Sequence, residues 1–323
     1  MAVLLVACGT APEPPLAAAP SSSERVTTPP PDPGTYSANE LGDVPVLMYH
    51  RIVDTPATVY DRTPADFRAE LERLAGEGYV PITTAEYASG EIDIPAGTHP
   101  VVLTFDDGHP TQFALTPEGT PVPGTAVAIM LEVAGRHPGF RPVASFYVNG
   151  DPFGDPGGKR TLTWLADHDM EVGNHTLTHS NLGAAPAEEA QRDIARGDAA
   201  IRAAGPTPVT ISLPFGVHPV QEELAVKGRA DGVGYEYTGA LLVGANPAPS
   251  PYSADFDRLR IPRIRSQGPT GQEAAFGSSV WLDKLAAGAS VRYTSDGVRD
   301  RIAFPQGGSR SVAADYQAMA HSY

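Results

Sequence analysis

Cysteine is almost missing from this chain. Cys8 is the only one among 323 residues, so no internal disulfide can form and packing, with or without a metal, has to hold the fold. Basic residues are scarce too: Lys and Arg total 23 against 38 Asp and Glu, a formal net charge of −15. No basic stripe follows a phosphate backbone, which argues against nucleic acid as a partner. A Gly-x-Ser-x-Gly elbow is absent, and GDPGGKR at 154–160 misses the phosphate-loop spacing by one residue. The apolar start, residues 1–8, is far shorter than the roughly 20 residues of a membrane-spanning helix.

Gly and Pro are plentiful, 33 each, so long irregular connections are expected. Residues 1–8 read as the tail of an export signal, and LVAC at 5–8 resembles a bacterial lipoprotein lipobox, whose cysteine becomes acylated. No Lys or Arg precedes the apolar run; the alternative is an apolar terminus with a chance cysteine. Export follows from the first reading, with attachment to a cell surface through Cys8, or otherwise secretion. Residues 9–40 hold Pro, Ala, Ser and Thr with few large apolar side chains, too little to offset chain entropy, and are expected to be a disordered linker. One domain is expected over 41–323.

Within it strands alternate with helices. VPVLMYHRI reads as a strand and TPADFRAELERLAGEGY as a helix, with Thr63 capping, Pro64 at the first position and Gly76 and Gly78 stopping it. PVVLTF and PVASFYVNG are buried strands; TAVAIMLEVAGRH, TLTWLADHDM and PAEEAQRDIARGDAAIRAAG are helices; VTISLPFG is another strand. YTSDGVRDRIAFP suggests a hairpin around Asp-Gly. The alternation predicts a mainly parallel sheet, open or closed into a barrel, with chemistry at the C-terminal strand ends.

Two motifs fall there. Asp106 and Asp107 follow an apolar strand directly, and Gly108 breaks it, so both carboxylates can face one pocket instead of opposite faces. A turn-forming Asp-Asp-Gly is the alternative. His175 and His179 lie four apart, a spacing that puts two side chains on one face of a helical turn. Two imidazoles and a carboxylate suit Zn²⁺, with Co²⁺, Ni²⁺ or Fe²⁺ also open. An isolated pair of this kind is often only a hydrogen-bonded surface pair; the joint occurrence favours a metal site.

LTFDDG at 103–108, ASFYV at 144–148, EVGNHTLTH at 171–179 and VPVLMYHRI resemble the polysaccharide deacetylases of the NodB-homology type, carbohydrate esterase family 4, over about 44–265. The resemblance implies a distorted (β/α) barrel with fewer than eight complete units and metal-dependent removal of acetyl groups from N-acetylated sugars of a glycan such as peptidoglycan or chitin-like polymers. It implies Asp107, His175 and His179 as metal ligands, Asp106 as catalytic base, and Pro214, Phe215 and Gly216 on the substrate side.

The sequence also departs from that pattern. The third motif opens with Ser212 where the family has arginine; Arg260 and Arg263, in LRIPRIR, are candidates to replace it. The late histidine that serves as general acid has no counterpart after 265, leaving His218, His50 and His109 as substitutes. His99, His137 and His168 are expected to be exposed. Trp281 is a candidate sugar platform, whereas Trp164 reads as core. An O-acetyl esterase using the same site and a non-catalytic glycan binder are the rival readings; no protein partner is expected. Paired glycosidase carboxylates, roughly 5–9.5 Å apart, are poorly supplied by adjacent residues.

Overall fold

The apolar stretch ending at Phe105 becomes a strand with every side chain buried, as one covered on both faces requires. The computed structural model describes residues 31–323. In chain order its strands are β1 (Val46–Tyr49), β2 (Tyr79–Ile82), β3 (His99–Phe105), β4 (Ser145–Val148), β5 (Glu171–Asn174) and β6 (Thr210–Ser212). They continue as β7 (Lys227–Ala230), β8 (Val233–Glu236), β9 (Gly239–Leu241), β10 (Ile264–Arg265), β11 (Ile302–Phe304) and β12 (Ala320–Ser322). Helices α1 (Pro64–Gly76), α2 (Thr84–Ser89), α3 (Ala126–Arg136), α4 (Lys159–Asp167), α5 (Ala187–Ala204) and α6 (Ser278–Ala286) lie between them. The expected cap of α1 is present: Thr63 accepts from the Asp66 N–H at 3.0 Å, with Pro64 next.

One eight-stranded sheet runs β10-β1-β3-β4-β5-β6-β9, with β2 paired to the first half of β3. All its pairings are parallel. Period-two alternation sorts β3 into two faces: Val101, Leu103 and Phe105 pack with Phe67 and Leu71 of α1 and Ile129 of α3, whereas Val102 joins Val46, Tyr147, Leu241 and Ile261. The second set fills the inside of the curl. Its two ends meet on one segment. Ile261 bridges to Leu241 of β9, while Ile264 and Arg265 pair with Leu47 and Met48 of β1. Pro262, which has no N–H to give, stands at the break between the two halves of this seam. The fold is therefore the expected distorted (β/α) barrel, and the C-terminal ends of its strands share one rim.

The folded body starts earlier than residue 41. Pro33–Tyr36 form a helical turn, Asn39 bridges to Thr294, and Glu40 is buried, so 31–40 are not linker. The first thirty residues, with the export, Cys8 and most of the linker expectations, lie outside the described residues. Among those described, no helix is long and apolar enough to cross a membrane. The expected hairpin at 293–305 does not form: β11 pairs in parallel with the distant β12, and Thr294 joins the N-terminal segment. That same segment covers His99, expected to be exposed, whose Nδ1 lies 2.8 Å from the Tyr293 carbonyl in a buried position. His137 is half-buried against Glu72, and His168 is exposed and stacked on Trp164 at 3.7 Å.

Glu40 ties the N-terminal segment to the C-terminal one by accepting from the Ala303 N–H at 2.7 Å. Burial, opposed by that bond, pushes its carboxyl up from 4.5 to about 7. The fold thus prefers the protonated form. Its contribution is complete below pH 4.5 and is lost as pH rises through 7. Melting temperature is expected to fall across that window, and Glu40→Gln to flatten the fall, a difference of about 3 kcal/mol at pH 8. Calorimetry across pH checks this.

Candidate metal centre and its acid

Along β3 the inward register Val102, Thr104 continues to Asp106, so strand alternation alone aims this carboxylate into the barrel mouth. Asp107 would point outward if the strand went on. It does not, because Asp107 takes φ 77° and Gly108 φ 62°, left-handed conformations that Asp tolerates better than most residues. The turn brings the second carboxylate back over the rim.

The histidines converge by a similar device. Residues 175–180 form no helix; Thr176 and His179 have φ 63° and 56°, and this kinked turn replaces the helical face that the spacing suggested. The rings stand 4.9 Å apart. Asp107 Oδ1 lies 3.4 Å from His175 Nε2 and 3.6 Å from His179 Nε2, and one donor atom from each residue fits within 4.8 Å of the others. His175 Nδ1 sits 2.7 Å from the Ser212 carbonyl. A carbonyl only accepts, so Nδ1 carries the proton and the Nε2 lone pair faces Asp107. This donor set matches a divalent transition metal with open positions.

The supports of this turn were not evident from spacing. Asp193 on α5 accepts from the Thr178 N–H and hydroxyl at 3.1 and 3.0 Å and from Ser180 at 2.8 Å. Asn149 donates to the carbonyls of His175 and Thr176, and Asn174 accepts from the Thr176 N–H. Asp193 left one signal in the sequence: it is an acid on the face of α5 shared with Ala190, Ile194 and Ile201.

Asp106 is 2% exposed and has its own partner. Arg263, 0% exposed, donates Nη1 to Oδ1 at 2.8 Å and Nη2 to Oδ2 at 2.7 Å, the two-pronged geometry that suits guanidinium and carboxylate. Its Nε donates to the Leu242 carbonyl. Ser212, where the family arginine was expected, contributes only a 3.3 Å contact from its hydroxyl to Asp106 Oδ2. The arginine that grips Asp106 thus comes from the seam segment just before β10, not from the third motif. Burial alone would raise the Asp106 carboxyl; Arg263 and the neighbouring His175 hold it far below the usual carboxylate range. For Asp107, contact with His175 likewise outweighs burial and lowers the carboxyl.

The other candidates separate clearly. Arg260 is on the surface, paired with Asp257 at 2.8 Å and with Glu222, in an exposed turn, and does not meet Asp106. His218 is surrounded by Glu222, Arg260 and Asp257, not by the acids of the rim; Phe215 and Gly216, both at positive φ, turn the chain outward before it. His109 is held by Thr111. His50, at the end of β1, is the histidine that feels Asp106, Asp107, His175 and Arg263 together, and burial lowers its pKa. Its carbonyl and that of Asp106 both accept from Gln112, a residue the sequence did not flag. Of the third motif, Pro214 is buried and Phe215, 60% exposed, meets His179 edge to face with ring centres 4.7 Å apart. Trp164 packs against the core as expected.

A polysaccharide deacetylase family model matches residues 139–228, which contain the histidines and the third motif but begin after Asp106 and Asp107. A chitooligosaccharide deacetylase of Rhizobium leguminosarum bv. phaseoli is 34% identical over 117 residues, 36% of this chain and 44% of that protein. One from Bradyrhizobium sp. (strain ANU 289) is 29% identical over 154 residues, 47% of this chain and 60% of that one. The chain thus spans about half the length of these relatives. Among solved structures, a Streptococcus pyogenes deacetylase in complex with acetate superposes with a TM-score of 0.54 at 19% identity, covering 75% of this chain and 97% of that one. A polysaccharide deacetylase from Bacillus cereus gives 0.51 at 20%, covering 69% and 64%. Both share the fold.

Proposed function

We propose that the chain, which is similar to polysaccharide deacetylases over part of its length, hydrolyses acetyl groups from N-acetylated sugars of a glycan with the help of a divalent metal held by Asp107, His175 and His179. The observation that carries this reading is Asp106, buried, ionised and gripped by Arg263 beside a separate Asp-His-His donor set. One acid is left free for proton transfer while the other is committed to the donors. A metal bound there supplies a Lewis acid that polarises the acetyl carbonyl and acidifies water. Asp106 takes the proton as water attacks the carbonyl carbon; Arg263 fixes the carboxylate and keeps it ionised beforehand. The proton that Asp106 has taken passes on, by way of His50 at the same mouth, to the nitrogen as the C–N bond breaks, leaving acetate and a free amine. The non-catalytic binder rested on the missing motif-three arginine and the missing late histidine together, and Arg263 beside Asp106 weighs against the first of these.

Acetate release from N-acetylglucosamine oligomers, abolished by chelator and restored by Zn²⁺, Co²⁺ or Ni²⁺, is the expected result. Asp107→Ala and His175→Ala should each reduce the metal content of purified protein to background. Full activity in metal-free protein refutes the reading, and faster turnover of O-acetylated xylan than of N-acetylated oligomers replaces it with an esterase.

A further inference from the structure

The backbone pairing of β1 with β3 stops just where the chemistry begins. Its last rung is the Asp106 N–H, which donates to the Tyr49 carbonyl at 3.0 Å. Past that rung His50 and Asp106 share no backbone bond, and Gln112 joins them instead. Its Nε2 donates to the His50 carbonyl at 2.8 Å and also to the Asp106 carbonyl, so one side-chain amide stands in for the next rung of the ladder. The amide can face only one way. Both partners are carbonyls, which only accept, so the atom between them is the NH2.

Gln112 is set in a rigid frame. It is 0% exposed, its N–H donates to the His109 carbonyl at 2.9 Å, and its carbonyl accepts from the Val127 N–H of α3 at 3.0 Å. On one side of it Phe113 is buried in the core against Phe153 and Trp164. On the other, Thr111 Oγ1 accepts from the Ile52 N–H at 3.1 Å. The amide is there although its own Oε1 is buried without a hydrogen-bond partner among the described residues. That is a cost to stability, and it marks the two Nε2 contacts as the reason for the residue.

The two ends that Gln112 joins are not equally secure. Asp106 is also gripped by both Nη atoms of Arg263. His50 has no second hold of that kind, since its Nδ1 has no hydrogen-bond partner among the described residues. Loss of the Gln112 amide therefore falls on His50.

We propose that Gln112 is a positioning residue that holds His50 at a fixed distance from Asp106, so that the proton taken by the base reaches the departing nitrogen. The proposal rests on the deacetylase reading above. An amine must be protonated as it leaves, whereas a nitrophenolate departs as the anion, so a residue that acts through His50 serves the first departure and not the second.

The test compares N-acetylglucosamine pentamer with para-nitrophenyl acetate. Gln112→Met keeps the length of the side chain and removes the donor. It is expected to lower kcat on the pentamer about 10- to 10²-fold, as a misplaced reacting group does, with KM and metal content unchanged, and to lower kcat on the ester far less. In a His50→Ala background it is expected to add little further loss. Gln112→Asn, whose amide is too short to reach both carbonyls, is expected to show the same selectivity and takes over if the methionine variant does not fold. Equal losses on amide and ester, or full additivity with His50→Ala, overturn the proposal and leave the deacetylase reading intact. Absence of wild-type turnover on every substrate overturns that reading instead. The His50 ring signal in nuclear magnetic resonance of the metal-free protein then decides: a shift in Gln112→Met supports the hold on His50, and an unmoved signal refutes it.

Discussion

Asp106→Asn is expected to keep its metal and lose about 10²- to 10⁴-fold in kcat, the span that a positioned general base supplies. Metal retention follows from geometry, because both Asp106 oxygens are taken by Arg263 and none belongs to the donor set of Asp107, His175 and His179. The loss follows from chemistry, because an amide cannot take the proton of the attacking water. Stability should fall as well, since a guanidinium with no exposed surface is left without its counter-charge, at a cost of about 3–5 kcal/mol. Acetate release, metal content and circular dichroism on the same preparation separate the effects. A folded, metal-loaded Asp106→Asn with wild-type kcat removes the base assignment.

Arg263→Met is the second large effect. It leaves Asp106 buried and unpaired, again at about 3–5 kcal/mol, and it reverses the pH dependence. In the wild type the lowered Asp106 carboxyl contributes stability that is present above the ordinary carboxylate range and is lost only in strong acid, so its share is flat from pH 5 to 8. Without the guanidinium, burial prevails and the carboxyl rises. The variant should then lose stability as pH increases through its new pKa, and the acid limb of kcat/KM should move upward by the same interval. The double variant Asp106→Asn with Arg263→Met should cost less than the sum of the two singles, because neither charge is then stranded. Adding Ser212→Arg to Arg263→Met should restore part of the activity, since the Ser212 side chain already points at Asp106 Oδ2. Denaturant melts and rate profiles between pH 5 and 9 check these outcomes.

The parts of this molecule legible in the sequence are those written in local pattern. The run ending in Asp106-Asp107, the cap at Thr63 and the paired histidines each carry their geometry within a few residues. Even there the detail differed, because left-handed turns at Asp107, Thr176 and His179, not a helical face, bring the donors together. The choice between Arg260 and Arg263 was open in LRIPRIR, yet period two held a hint: Ile261 is a core residue, and Arg263 shares its strand face. What could not be read were contacts across long separations. Glu40 meets Ala303, His99 lies under Tyr293, and β11 finds β12; none leaves a mark in its own neighbourhood.

The seam strand carries a consequence for biogenesis. The candidate donors Asp107, His175 and His179 are all in place by residue 179, but the guanidinium that grips Asp106 arrives with the segment that zips the barrel shut. A nascent or partly melted chain could therefore capture an ion while still lacking a competent proton acceptor. If Asp106 is the base, as proposed, turnover is expected only after circumferential closure and would then report finished assembly.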